Sequence, residues 1–163
     1  MRPALAGAAG GTTSATPSGQ GKASRTVAAR ILVVDDDLDM VATCAQVLAQ
    51  HGYVCLTASA GSEAIAVMDA ERPDLVVTDL HMPGVDGLAV ARHARTRIPP
   101  IPVVLMTTWP APTTVREGLL AGAAAHLGKP FANAHLVGTV RHVLGEAGSG
   151  HLTGFRRSGR AVS

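Results

Sequence analysis

Short apolar runs alternate with helical spacings along the middle of the chain, and the alternation alone predicts its architecture. Ile31-Leu32-Val33-Val34 is β-branched, of strand length and ends at acids, so it reads as a buried first strand. Val41, Cys44, Ala45 and Leu48 then recur at i, i+3, i+4 and i+7, one face of a helix closed by Gly52. Residues 53–57 predict a second strand. Ala64, Ile65 and Met68 mark a second helix that Pro73 stops, and Leu75-Val76-Val77-Thr78 is a third strand delivering Asp79. Pro83-Gly84 is a turn signal. Leu88, Ala91 and Ile98 lie on one side of a third helix, followed by prolines at 99, 100 and 102 and the strand Val103-Val104-Leu105-Met106. Pro112 suits the first turn of a fourth helix carried by Val115 and Leu119. A brief fifth strand at 123–127 precedes a last helix with Leu136, Val140, Val143 and Leu144 on one face.

Five strands strictly alternating with five helices predict an α/β fold, a doubly wound parallel sheet with helices on both faces, because parallel strands need right-handed crossovers. In such a sheet a ligand site forms beyond the carboxyl ends of the strands, where strand order reverses. The polar residues that stand out all fall there: Asp35 and Asp36 after strand one, Asp79 at the end of strand three, Thr107 and Thr108 after strand four, and Lys129 after strand five. Three clustered carboxylates repel unless a cation sits among them, and oxygen ligands on loops suit a hard divalent ion such as magnesium. With an ammonium from Lys129, such a site would neutralise an incoming phosphoryl group, leaving Asp79 as nucleophile. The competing reading makes the acids a helix N-terminal cluster favouring the dipole, which fits Asp37 and Asp39 best.

Composition sharpens the limits of the unit. Hydrophobic residues are 47% of the chain and aromatic ones 2%, so the core must be aliphatic. Residues 1–28 are Gly, Ala, Ser, Thr and Pro with almost no large apolar side chain and predict a disordered arm. Residues 148–163 predict a flexible basic tail, which leaves 29–147 as the folded domain. Seven of the 14 Lys and Arg, including Arg2, Arg30 and Arg160, lie outside residues 31–155, while all 12 acids lie inside. An acidic body argues against gripping nucleic acid with the folded surface. Cys44 and Cys55 are too few for a disulfide framework or a zinc site and fit a reducing compartment. No apolar stretch reaches bilayer length, and the expected location is cytoplasmic, with no membrane partner. His51, His93, His135, His142 and His151 show no zinc spacing.

The chain resembles the receiver domain of two-component response regulators over about residues 30–146. Four motifs carry the likeness in order: Ile31-Leu32-Val33-Val34-Asp35-Asp36-Asp37, then Asp74-Leu75-Val76-Val77-Thr78-Asp79-Leu80-His81-Met82-Pro83-Gly84-Val85-Asp86-Gly87, then Pro102-Val103-Val104-Leu105-Met106-Thr107, and Gly128-Lys129-Pro130-Phe131. The resemblance implies that Asp79 is phosphorylated by a histidine kinase or phosphotransfer protein. It also implies that Asp36 ligates magnesium directly and Asp35 mostly through water, with the His81 carbonyl completing the set. Thr107 would act as the switch hydroxyl, Lys129 would pair with the phosphoryl group, and the Lys129–Pro130 bond would be cis. His126 occupies the place of an aromatic switch residue, and its charge would make the switch sensitive to pH. His81, Thr108 and Trp109 depart from the usual pattern around the pocket and are the expected rate-tuning positions. A phosphoacceptor switch is expected, not an enzyme with turnover. A phosphatase of the haloacid-dehalogenase kind would need an acid at position 81, and an unphosphorylated receiver-like scaffold would not need all five phosphotransfer residues. Few residues follow the last helix, so the sequence predicts a stand-alone regulator that contacts a downstream protein target and does not bind DNA directly.

Overall fold

The computed structural model describes residues 27–145. The disordered arm expected at 1–28, apart from its last two residues, and the basic tail expected at 148–163 lie outside the described residues. Ten elements alternate: β1 Arg30–Val34, α1 Leu38–Gln50, β2 Val54–Ala58, α2 Gly61–Glu71, β3 Leu75–Asp79, α3 Gly87–Arg95, β4 Val103–Thr107, α4 Pro112–Ala121, β5 Ala125–Gly128 and α5 Asn133–Leu144. The strands form one parallel sheet in the order β2-β1-β3-β4-β5. The reversal of order falls between β1 and β3, as a doubly wound sheet requires.

Strand alternation sorts the core into two layers. Leu32 and Val34 of β1, Val76 of β3 and Val103 and Leu105 of β4 pack with Ala64, Met68, Val90, Ala91, Ala94 and Ala121 of α2, α3 and α4. Ile31, Val33, Leu75, Val77, Val104 and Met106 point the other way, onto Val41, Cys44, Leu48, Leu136, Val137 and Val140 of α1 and α5. With both faces covered, the central strands read as unbroken apolar runs.

Several predicted positions shift for identifiable reasons. Tyr53 is not in β2, because its N–H closes α1 by donating to Leu48 O at 3.2 Å. Residues 123 and 124 precede β5: Ala123 N donates to Gly118 O, ending α4, and Ala124 N donates to Val103 O. Ile98 is 86% exposed and lies beyond α3, since the residue before a proline is disfavoured in helical conformation. On α4 the inward side is Gly118 and Ala121, while Val115 is half-buried and Leu119 is 57% exposed. Small residues let that helix approach the sheet and leave its leucines outside. Arg30, which lies just outside the acidic segment 31–155, is tied into the fold: its guanidinium pairs with Glu71 at 2.6 Å and its N–H donates to Asp74 at 2.7 Å.

Gly87 begins α3 directly beneath the end of β3. A Cβ there would overlap the Asp79 carbonyl oxygen and come within 2.8 Å of Leu80 Cα. Backbone on both sides leaves little room to give. Gly87→Ala is therefore expected to destabilise the fold by about 1–3 kcal/mol, the usual range for overpacking, as chemical denaturation will measure.

Candidate functional site

Parallel pairing places the carboxyl ends of β1, β3, β4 and β5 along one edge, and four of the functional side chains stand there. The register aligns Val34 with Thr78, Asp79 with Met106 and Thr107 with Gly128, so Asp35, Asp79, Thr107 and Lys129 emerge side by side. The loops are tied to one another at this edge: Leu80 N donates to Met106 O at 2.9 Å, and Lys129 N donates to Thr107 O at 2.7 Å. The Lys129–Pro130 bond is cis, as the resemblance implied.

Asp35 is 1% exposed and Asp79 7%, whereas Asp36 is open to solvent. Carboxylate oxygens of these three residues lie within 4.8 Å of one another, the one group able to hold a metal among the described residues. The Lys129 ammonium bridges the two buried acids, 2.8 Å from Asp35 Oδ2 and 2.9 Å from Asp79 Oδ1. Three carboxylates against one ammonium leave two negative charges, which a divalent cation would balance. The all-oxygen donor set and its loop setting fit magnesium.

The electrostatics follow from the crowding. Burial raises the Asp79 pKa, and the Asp35 and Asp36 charges add to that, outweighing the opposing pull of Lys129. For Lys129 burial works against the charged form, but the hydrogen bonds to Asp35 and Asp79 prevail and its pKa is raised. Lys129 thus stays an ammonium and supplies the positive charge of the site.

Asp37 has a different task. It caps α1, accepting from the N–H groups of Asp39 and Met40 at 3.0 and 3.3 Å, and Asp39 lies in the first turn. Asp35 Oδ1 in turn accepts from Asp37 N at 2.9 Å, which orients the buried carboxylate from the helix start.

The structure brings Asp35, Asp36, Asp79 and Lys129 into one site. Thr107 is fully buried beside them, with its hydroxyl accepting from Trp109 N at 3.2 Å. His81, Thr108 and Trp109 are exposed in the loops after β3 and β4, Trp109 to 78%. His126 sits on β5 opposite Leu105, packed against α4 at Gly118. Two nearby residues carried no functional signal in the sequence. Thr78 is buried, its hydroxyl donating to Asp79 O at 3.0 Å, and Cys44 lies close enough to Asp35 and Lys129 to feel both charges. Burial is the main cause of its thiol being pushed up to about 11, which keeps it unreactive.

A family model described as "Response regulator receiver domain" matches residues 31–141. The chain is 38% identical over 120 residues to the transcriptional regulatory protein PrrA of Mycobacterium tuberculosis, covering 74% of this chain and 52% of PrrA. It is 36% identical over 121 residues to the response regulator protein FleR of Pseudomonas aeruginosa, covering 74% of this chain and 26% of FleR. Among solved structures, the chemotaxis response regulator CheY4 of Vibrio cholerae superposes with a TM-score of 0.68 at 30% identity, over 72% of this chain and 99% of CheY4. The receiver domain of the putative response regulator NarL from M. tuberculosis gives 0.69 at 29% identity, over 73% and 98%. The chain spans about half the length of PrrA and a quarter of FleR. These relatives overturn the expectation of a regulator that contacts only proteins and stays off DNA. PrrA is a transcriptional regulator, and the segment matched here is only part of it. The acidic charge of residues 31–155 says nothing of the parts of PrrA and FleR that lie outside the match. Among the described residues no helix is long and apolar enough to cross a membrane.

Proposed function

We propose, from the premise that this chain belongs to the response regulator receiver domain family, that Asp79 accepts a phosphoryl group from a histidine kinase or phosphotransfer protein. The observation that carries the reading is the Lys129 ammonium 2.9 Å from Asp79 Oδ1, in a site where Asp35 and Asp36 complete a metal-binding group. Lys129 engages Oδ1, so Oδ2 is the oxygen that attacks phosphorus as the bond to the donor nitrogen breaks. Lys129 then balances charge on the transferred group, and the Thr107 hydroxyl donates to one of its oxygens, drawing the loop after β4 inward. Magnesium held by Asp36, Asp79 and the His81 carbonyl, and by Asp35 mostly through water, would supply further charge neutralisation. The protein is a switch that assists its own phosphorylation and dephosphorylation, without turnover of an external substrate. Its place is the cytoplasm, which the two free thiols support.

The experiment is incubation with magnesium and acetyl phosphate, followed by mapping of the added mass. One hydroxylamine-labile phosphoryl group on Asp79 supports the reading. No added mass, even with a kinase supplied, leaves an unphosphorylated scaffold instead.

His81, Thr108 and Trp109 are the positions that set the lifetime of the phosphoryl group. The exposed Trp109 indole follows Thr107 by two residues, so inward movement of Thr107 would carry it across the pocket mouth, where it hinders attacking water. Trp109→Ala is expected to shorten the lifetime of labelled phosphoprotein severalfold. Equal decay in the two proteins refutes the shielding.

A further inference from the structure

Gly118, in the interior of α4, is an unfavourable residue for a helix, costing about 1 kcal/mol relative to alanine, and the structure shows what occupies the space. A Cβ at Gly118 would overlap the His126 ring, approaching Nε2 and lying 2.8 Å from Cε1, and would also lie 2.8 Å from Leu105 Cδ1. The imidazole is therefore seated against bare helix backbone, in a notch that only glycine provides. His126 Nε2 is buried there with no hydrogen-bond partner among the described residues. A neutral ring can present a lone pair at that nitrogen at modest cost. A protonated ring would bury an N–H without an acceptor, which is far more costly.

Among the described residues the surroundings offer the imidazolium no counter-charge in the notch and an exit beside it. From β4 the ring meets Leu105, which is apolar. On α4, Glu117 lines the opposite groove with Leu88, Arg92 and Leu120, and Arg116 is exposed, two residues from Gly118. On β5 itself the next charge is Lys129, already held by Asp35 and Asp79. Toward α5, His126 opens onto a groove of about 360 Å³ shared with Ala134, His135, Thr139 and His142 and lined by no acid among the described residues. Gly138 adds open space on that side.

We propose that His126 is a proton-operated latch on α4: its neutral ring fills the Gly118 notch and holds the helix to β5, and protonation moves the ring into the groove beside α5. Burial depresses the His126 pKa below the ordinary imidazole value. For a base with a depressed folded pKa, the unfolded chain takes up the proton first. The seated state is fully populated above about pH 6.5, the unperturbed value, and is lost as pH falls through the lower folded one. The element released carries the exposed Leu119 and Leu120, so the proton alters how that face is presented.

The latch acts without phosphorylation, so the full chain is tested with no phosphodonor present. Ring and backbone NMR resonances are followed between pH 5 and 8 in the wild type and in His126→Phe, which keeps a ring of similar size without the charge. The expected result is that the amides of Gly118 and Leu119 shift with the same midpoint as the His126 ring, below the ordinary imidazole range, and that these shifts vanish in His126→Phe. The wild-type titration decides on its own if the variant does not fold. Amides of α4 that stay still as His126 titrates, that follow His135 or His142, or that keep shifting in His126→Phe overturn the latch.

Discussion

The Asp79→Asn variant will gain no hydroxylamine-labile phosphate from magnesium and acetyl phosphate, under conditions in which the wild type gains one. A carboxamide oxygen lacks the charge to attack phosphorus and cannot form the acyl phosphate, so the loss is complete. Its shape is preserved, Lys129 keeps its pair with Asp35 at 2.8 Å, and the site as a whole disfavours the Asp79 charge, so replacing this member of a cluster that includes Asp35 and Asp36 relieves like-charge repulsion. Asp79→Asn is therefore expected to melt no lower than the wild type, which separates lost chemistry from lost fold. Asp37→Asn is the matched control. Asn caps a helix about as well as Asp, and Asp37 caps α1 without contacting Lys129, so phosphorylation is retained. Uptake of phosphate by Asp79→Asn at the wild-type level would move the acceptor elsewhere and sink the proposed role.

Lys129→Met carries the second large effect, on stability. The ammonium bridges Asp35, 1% exposed, and Asp79, 7% exposed, and methionine keeps most of its length while removing the charge. Removing one partner of a buried ion pair typically costs about 3–5 kcal/mol, because the remaining charge is left uncompensated. At the lower figure the melting midpoint falls by roughly 10 °C for a fold of this size. Two conditions should recover part of the loss. Magnesium held by the folded acid cluster and not by the unfolded chain would contribute about 2.7 kcal/mol at a hundredfold excess over its dissociation constant. Acid helps as well. The Asp79 pKa is already raised in the wild type, and loss of Lys129 raises it further. A carboxyl whose folded pKa exceeds its unfolded value binds its proton first in the fold, so the variant gains stability as pH falls toward the unfolded carboxylate range, while stability is lost as pH rises through the folded pKa. A melting midpoint equal to the wild type at neutral pH without magnesium would show that the bridge contributes nothing.

Much of the site was legible because its signals are local. Asp35, Asp79, Thr107 and Lys129 each follow a recognisable apolar run, and strand ends are marked by the switch from β-branched to polar residues. What remained illegible depends on which side chain meets which. Leu119 looked like the buried face of α4 by spacing, yet the helix rests on Gly118 and Ala121 because the His126 ring occupies the glycine's missing side chain. Ile98 fitted the period of α3 but stands past its end, before Pro99. Trp109 was expected near the pocket mouth, and its indole is largely in solvent, so any shielding requires the loop to move.

The sequence by itself determined the alternation of five strands and five helices and the set of acids, threonine and lysine at strand ends, because periodicity and breakers act within a few residues. Only the tertiary structure decided that β1 lies between β2 and β3, so that Lys129 reaches both Asp35 and Asp79. It alone decided, too, that Gly118 is a seat for His126. Both depend on chain segments far apart in sequence meeting across the sheet, and close packing, not local pattern, selects such pairs.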